Sequence, residues 1–586
     1  MAQNNPQAAT PATQGVIKNQ QSKIQNSQYI GYLVGGGLKE NLRVRLTVSP
    51  QEVQEGGFVV VESGDWLFYG LVTDLQLGAT DPRFADEQSE TRLPAGLASL
   101  LHGQTLYTNL EVLPALMLER GPDPGSPRYP EWRQAHPEDP RPLPVKTIPS
   151  HHAPVRLALA GDVAAIFGDP AREGNFVVGS TREQGHPVCI DLDKFVQRSS
   201  GIFGATGTGK SFLTRIILAG LIHNNRAAVL VLDMHNEYGY DDTASDTGGK
   251  VIGLRTKFHG RVQVVGLGRG ATIRGQRPDF DLELAENDIQ PADIELLMRE
   301  LNLRETTPTT LSALVQTFGR AHWFHGFKHM QVGTTVETEE GKRVPAPGSV
   351  AAWANDVGVN VMAAEGLHDK LRRVFDQPYI VEKPASDSLQ QVIRSLEAGK
   401  HVVLSFGNFE NDLDYLLVAN LLTRHIRDAW EKKTNEYRSH GEQEPRPLVI
   451  VVEEAHKLLN REMAAQTTFS TIAREMRKYY VTLLIIDQRP SQIYDEVMSQ
   501  LGTRISGWLG DEADIQAVLS GLAGRDALRG MLARLQPKEE VLLLGWGVPM
   551  PIPVRSRRYD QRFWEELLGR GGGKSDEAKI LKELGF

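Results

Sequence analysis

The sequence predicts an α/β protein: a core with a mostly parallel sheet, a small β-barrel ahead of it, and a helical subdomain inserted into it. Three observations carry this. A glycine-rich loop, Gly204-Ala205-Thr206-Gly207-Thr208-Gly209-Lys210-Ser211, separates a short apolar run (200–203) from a mostly apolar helical stretch starting at Phe212. Apolar runs recur at 227–233, 401–406, 448–452 and 481–487, with helical stretches between them, the alternation of a parallel sheet. Before residue 195 the runs are shorter and closely spaced. Leu42, Val44, Leu46 and Val48 alternate with Arg43, Arg45 and Thr47, the period of a half-buried strand.

The chain has 586 residues, more than one domain by length. At 40% hydrophobic and 23% charged it is ordinary for a globular protein. Its net charge of −9 argues against a uniformly basic surface, while leaving room for a local basic lining. Cys189 is the single cysteine, so an intrachain disulfide and a multi-cysteine zinc cluster are excluded, and a small buried hydrophobe is expected there. No run of 18 apolar residues and no N-terminal apolar segment are present, so a cytoplasmic protein without a membrane span is expected.

In chain order, residues 1–27 are rich in Gln, Asn, Ala, Thr and Pro and are expected to form a disordered tail. Residues 28–195 are expected to form the barrel, with strands near 32–34, 42–48, 57–62, 66–75, 155–160, 176–179 and 188–192. A proline-dense excursion at 121–150 interrupts them. Residues 196–257 and 400–555 make the core. Residues 258–399 read as a mostly helical insertion, with helical patterns at 282–301, 309–318, 349–354 and 367–375 and Thr309 as an N-cap candidate. A long helix is expected over 411–432. The segment 556–586 is basic, then a Gly571-Gly-Gly hinge, then a short helical arm over 575–584 suited to docking on a neighbouring subunit.

The loop's chemistry is specific. Gly204, Gly207 and Gly209 permit backbone conformations that a Cβ would block, so successive N–H groups turn inward on an anion. The following helix presents its positive end to the same point. Lys210 is suited to the β- and γ-phosphates of a nucleoside triphosphate and Ser211 to Mg²⁺. The apolar run 448–452 ends in Glu453-Glu454-Ala455-His456. The first acid suits the Mg²⁺ shell, and the second is placed to hold a water in line with the γ-phosphate. Buried paired acids are costly unless they face a cation. Gln488, in Asp487-Gln488-Arg489-Pro490-Ser491, follows another buried strand and can touch the γ-phosphate or the attacking water. Arg474 and Arg477 lie on a basic helix end and suit phosphate recognition in trans, and Arg198 is a further candidate. Asp233 and Glu237, in Asp233-Met-His235-Asn-Glu237-Tyr238, are supporting acids, because ligands sit at the carboxyl ends of strands in such sheets. His235 has no partner cluster and is not expected to ligate metal.

These elements, in this order, resemble the HerA family of hexameric DNA-translocating ATPases, related to FtsK, in its bacterial form. The resemblance rests on GATGTGKS at 204–211, the D-x-H-x-E-Y segment at 233–238, E-E-A-H at 453–456, R-E-x-R-K at 474–478 and Q-R-P-S at 488–491. Met476 and Asn236 stand where the family often has glycine. The resemblance implies a RecA-like P-loop ATPase core that binds ATP and Mg²⁺ through residues 204–212. Glu454 is then the catalytic base, with Glu453 and Ser211 at Mg²⁺, Gln488 as sensor, and Arg474 (or Arg477) as a trans finger supported by Arg198. It also implies a homohexamer pumping double-stranded DNA, beside a NurA-type nuclease in end resection or beside another effector. Lys257 and Arg461, downstream of motif strands, are DNA-contact candidates. The alternative is a nucleotide-gated ring scaffold that activates an effector with little translocation.

Overall fold

A computed structural model describes residues 29–569, apart from 39, 81–105, 123–124, 137–139, 244–247, 340, 442, 464–466 and 523. The expected N-terminal tail and C-terminal helical arm lie outside the described residues.

Seven strands form the first unit: β1 (Tyr29–Gly35), β2 (Leu42–Leu46), β3 (Phe58–Ser63), β4 (Trp66–Ala79), β5 (Leu106–Glu119), β6 (Leu143–Pro144) and β7 (Pro154–Leu157). Their order is β2-β1-β7-β3-β4-β5-β6, and β5 pairs back onto β2, so six antiparallel strands close a barrel with β6 appended. Closure removes open strand edges. The apolar run in β3 is continuous because both faces are buried. Val59 and Val61 point into the barrel core, while Phe58 and Val60 join the main core beyond it. At that junction Arg156 pairs with Asp162 at 2.6 Å and Glu62 at 2.7 Å, fixing the barrel to the segment that leaves it. The proline-dense excursion is mainly loop, with one short helix, Tyr129–Ala135.

The barrel ends earlier than expected. β8 (Asn175–Thr181) and β9 (Pro187–Asp191) were expected to be barrel strands and instead extend the large sheet. The reason is packing: Phe176 lies under Gly220 of the helix after the glycine-rich loop, where a Cβ would come within 2.7 Å of its ring. Strand periodicity is the same in either sheet, so the pattern alone did not separate them.

The large sheet adds β10 (Ser200–Phe203), β11 (Ala228–Asp233), β14 (Val262–Leu267), β15 (Phe280–Leu282), β20 (His401–Ser405), β21 (Leu448–Val452), β22 (Val481–Asp487), β23 (Thr503–Ser506), β24 (Glu540–Gly545) and β25 (Ile552–Ser556). Small two-stranded pairs are β12 (Asp242–Thr243) with β13 (Lys250–Val251), β16 (Leu284–Ala285) with β19 (Ile380–Val381), and β17 (Thr335–Glu337) with β18 (Arg343–Pro345). The large sheet runs β15-β14-β20-β11-β21-β22-β10-β23-β24-β25-β8-β9. The first eight strands are mutually parallel and the rest antiparallel. The RecA-like α/β class is therefore borne out, with an antiparallel extension on one side.

The insertion is helical in its middle, at Thr307–Phe318, Trp323–Lys328, Val350–Val357 and Val361–Phe375. Its start differs from expectation. Residues 282–301 form β16, a 3₁₀ turn (Glu286–Asp288) and a short helix (Pro291–Glu295), because pairing with β14 and β19 claims the segment before a helix can start. The helix expected to begin at Thr309 begins at Thr307. The long helix spans Asp412–His440, capped by the Asn411 side chain and ended by Gly441 at φ +68°.

Candidate nucleotide site

Four parallel strands, β10, β11, β21 and β22, deliver their carboxyl ends to one edge. The glycine-rich loop, Glu453 and Gln488 follow those ends directly, and Asp233 is the last residue of β11, the place where such sheets bind ligands. The loop, Glu453 and Gln488 line a cleft of about 810 Å³, while Asp233 is fully buried and does not line it.

The loop has the backbone its glycines predict. Gly204, Gly207 and Gly209 have φ of +155°, +75° and +90°. A Cβ on Gly204 would lie 2.6 Å from Thr208 Oγ1. Thr208 in turn donates to the Ala205 carbonyl at 2.7 Å, closing the loop on itself. The helix Lys210–Asn224 starts there without a side-chain cap, so its first N–H groups are offered to the cleft. Lys210 Nζ donates to the carbonyls of Gly204 (2.7 Å) and Ala205 (3.1 Å), which holds the ammonium over the loop. Burial pushes its pKa down, opposed by Glu454 and Asp487 nearby.

Glu453 is 6% exposed. Tyr238 donates its hydroxyl to Oε1 at 2.6 Å, and Tyr415 donates to the Glu453 carbonyl at 2.8 Å. Oε2 is buried with no partner among the described residues. Burial, then Asp233, pushes this carboxyl well above its ordinary value. An orphaned carboxylate oxygen among further acids fits a divalent cation with its waters, so the donor set suits Mg²⁺. Asp233 accepts from the backbone N–H groups of Glu237 (2.8 Å) and Tyr238 (3.0 Å). Burial pushes it up to about 6 against those bonds. It thus shapes the turn that aims Tyr238 at Glu453. Arg215 donates to the Glu237 carbonyl at 2.8 Å and braces the same turn.

Glu454 has φ +45°, a strained value for a residue with a Cβ. Gln488 Nε2 reaches its Oε2 at 3.4 Å, and Gln488 Oε1 accepts from the Thr206 hydroxyl at 2.6 Å. His456 Nδ1 lies 2.9 Å from Asp487 Oδ2 and 3.5 Å from Glu454 Oε2. The hydrogen bond to Asp487 raises the His456 pKa.

Residues 206–212, Glu237, Glu453, Glu454 and Gln488 line the cleft together. Arg474, Arg477 and Arg198 do not. Arg474 is exposed in the last turn of the helix Thr468–Glu475 and pairs with Glu496 at 3.3 Å. Arg477 is exposed in the 3₁₀ turn that follows. Arg198 precedes the amino end of β10 and stacks 4.3 Å over the Trp546 ring, at the edge opposite the loop. It therefore does not reach a phosphate held by its own chain. Lys257 is half-buried with its ammonium 5.5 Å over the Trp564 ring, and Arg461 is exposed.

Sequence reasoning missed one wall of the cleft: Lys538, Arg558 and Tyr559. Tyr559 donates to the Ile252 carbonyl at 2.6 Å and lies 6.3 Å from the Phe212 ring. Lys538 has φ +67°, and its Cα lies 3.6 Å from where a Cβ on Gly209 would stand. The run Arg557-Arg558-Tyr559-Asp560 was the available signal, read only as a basic terminus.

Residues 176–426 match the family described as "Helicase HerA, central domain". A "DNA double-strand break repair helicase HerA" of Sulfurisphaera tokodaii is 23% identical over 563 residues, covering 94% of this chain and 97% of that protein. One of Sulfolobus acidocaldarius is 23% identical over 567 residues, with the same coverage. Among solved structures, VirB4 of Thermoanaerobacter pseudethanolicus aligns with a TM-score of 0.41 at 14% identity, covering 67% of this chain and 98% of that one. Among the described residues no helix is long and apolar enough to cross a membrane.

Proposed function

We propose that this chain, a P-loop ATPase of the HerA type, is the subunit of a homohexameric motor that hydrolyses ATP to drive double-stranded DNA through its ring. The carrying observation is an asymmetry. The glycine-rich loop, Glu453, Glu454 and Gln488 converge on one cleft, while Arg474, Arg477 and Arg198 lie outside it. Arginines suited to phosphate, placed off their own site, fit a site completed by the next subunit.

In this reading residues 204–212 cradle the triphosphate, and Lys210 leaves the loop carbonyls for the β- and γ-phosphates. Mg²⁺ would be held by Ser211 and, through water, by Glu453, and it supplies charge neutralisation at the phosphates. Glu454 orients and deprotonates the attacking water. Gln488 senses the γ-phosphate and reports to the loop through Thr206. Asp233 and Glu237 support Glu453. Arg474, or Arg477 in its place, enters from the neighbour, with Arg198 supporting it.

DNA contacts would be made to phosphates, so binding should be independent of sequence and fall steeply with salt. Arg461 is the better-placed contact, since Lys257 is engaged with Trp564. The names of the relatives support a role in DNA double-strand break repair. A cytoplasmic location, and a separate NurA-type nuclease or another effector doing any cutting, belong to the same proposal.

The test is ATPase turnover with and without duplex DNA, paired with displacement of a triplex-forming strand. A motor shows DNA stimulation and ATP-dependent displacement. Turnover indifferent to duplex, with no displacement, overturns the reading.

A further inference from the structure

We propose that Glu286, His325 and His329 form a binding site for a divalent cation of the zinc class, in the helical insertion and apart from the nucleotide cleft. Glu286 begins the 3₁₀ turn Glu286–Asp288 and is 3% exposed. The helix Trp323–Lys328 lies against that turn, anchored by the Trp323 indole donating to the Ile289 carbonyl at 3.0 Å. His325 and His329 are one helical turn apart and so share a face. Their ring centroids are 4.3 Å apart. One ligand atom from each of the three residues lies within 4.8 Å of the other two.

A simple ion pair explains only part of this. Lys328 Nζ takes Glu286 Oε1 at 2.6 Å, and His325 Nδ1 lies 2.6 Å from Oε2. Those two contacts satisfy the carboxylate. They do not account for a second imidazole, His329, placed with its ligand atom within 4.8 Å of both groups. Metal bonds to nitrogen and oxygen are about 2.0–2.2 Å, so ligand atoms on one tetrahedral ion sit about 3.3–3.6 Å apart. The observed spread needs only a small swing of His329, which is exposed and free to make it.

The donor set decides the class of ion. Two imidazoles and one carboxylate, with a position left for water, suit Zn²⁺ and its borderline neighbours. Ca²⁺ and Mg²⁺ prefer sites built wholly of oxygen. Lys328 on the far carboxylate oxygen has the place of an outer partner that orients a ligand, while its charge keeps affinity moderate. A bound ion would staple the helix Trp323–Lys328 to the turn that follows β16.

The test uses tag-free full-length protein titrated with Zn²⁺ alone, without nucleotide, by calorimetry and thermal melting. Expected are one ion per chain at this site with a micromolar dissociation constant, a raised melting temperature, and tetrahedral absorption bands when Co²⁺ replaces Zn²⁺. His329→Ala, on the surface, should keep the fold and the basal ATPase activity yet lose binding at least about tenfold. His329→Gln should match it. Wild type that takes up no Zn²⁺, or the two variants binding as wild type does, overturns the proposal. Ions held by the acids of the nucleotide cleft persist equally in both variants and so cancel from the comparison.

Discussion

Thr206 in the phosphate loop donates its hydroxyl to Gln488 Oε1 across 2.6 Å, and the same amide reaches Glu454 Oε2 at 3.4 Å. One side chain therefore spans the loop that holds phosphate and the acid that holds water. Gln488→Ala removes both contacts while leaving Lys210 and the loop backbone in place. Steady-state kinetics should show kcat reduced about 10²–10³-fold with KM changed little, the signature of contacts made mainly in the transition state. Thr206→Val keeps the amide and should cost less, about tenfold in kcat. A loss confined to KM would remove Gln488 from the chemical step.

The residues at that junction show what could be read from sequence. The loop, Glu453-Glu454 and Gln488 were legible because each follows an apolar run that only a buried strand accommodates, and parallel strands must end together. The Tyr238 and Tyr415 bonds to Glu453 were not, since they join residues 215 and 38 positions apart. Nor was the cleft wall at Lys538 and Tyr559, which depends on where an antiparallel extension returns the chain. The split of β8 and β9 from the barrel failed for the same reason: periodicity reports that a face is buried, not which sheet buries it.

Glu453 carries a buried oxygen without a partner among the described residues, and burial has already driven its carboxyl toward protonation. Glu453→Gln removes that buried carboxylate and can keep the Tyr238 hydroxyl as a partner. The nucleotide-free variant should melt higher than wild type, by about 1–3 kcal/mol of added stability. It should lose the extra stabilisation that Mg²⁺ adds to nucleotide binding, and with it hydrolysis. Paired melts with ATP, with and without Mg²⁺, check both points. A variant less stable than wild type without nucleotide, yet still stabilised by Mg²⁺, contradicts this account of the acid.

His401 at the start of β20 is 1% exposed, and neither ring nitrogen has a partner among the described residues. Burial, then Arg261 and Arg446, pushes its pKa from 6.5 down to about 3. The folded state keeps the ring neutral while the unfolded chain takes up a proton below pH 6.5. Stability is therefore whole above that value and lost as pH falls toward 3, by up to ~1.4 kcal/mol per pH unit. His401→Phe keeps the ring and cannot titrate. Its stability relative to wild type should rise by about 2 kcal/mol between pH 7.5 and pH 5, read from denaturant melts at the two values. A constant difference would place the ring's charge change elsewhere.

Arg474 pairs with Glu496 on the surface of its own chain, outside the cleft that holds Glu454. If its guanidinium acts in the neighbour's site, the two residues belong to one active centre but to different chains. Arg474→Ala and Glu454→Gln should each lower ATPase activity at least ~10³-fold as pure assemblies. Mixed assemblies separate trans from cis. Where an Arg474→Ala subunit offers its intact Glu454 to a Glu454→Gln neighbour's intact Arg474, a complete site forms. Mixing the two inactive proteins should then restore activity, approaching a quarter of wild type for random assembly of equal parts, since each site draws each half independently. Finger and base on the same chain would leave every mixture as inactive as its components, because no subunit would carry both. Running the same mixture with Arg477→Ala in place of Arg474→Ala identifies which arginine crosses the interface.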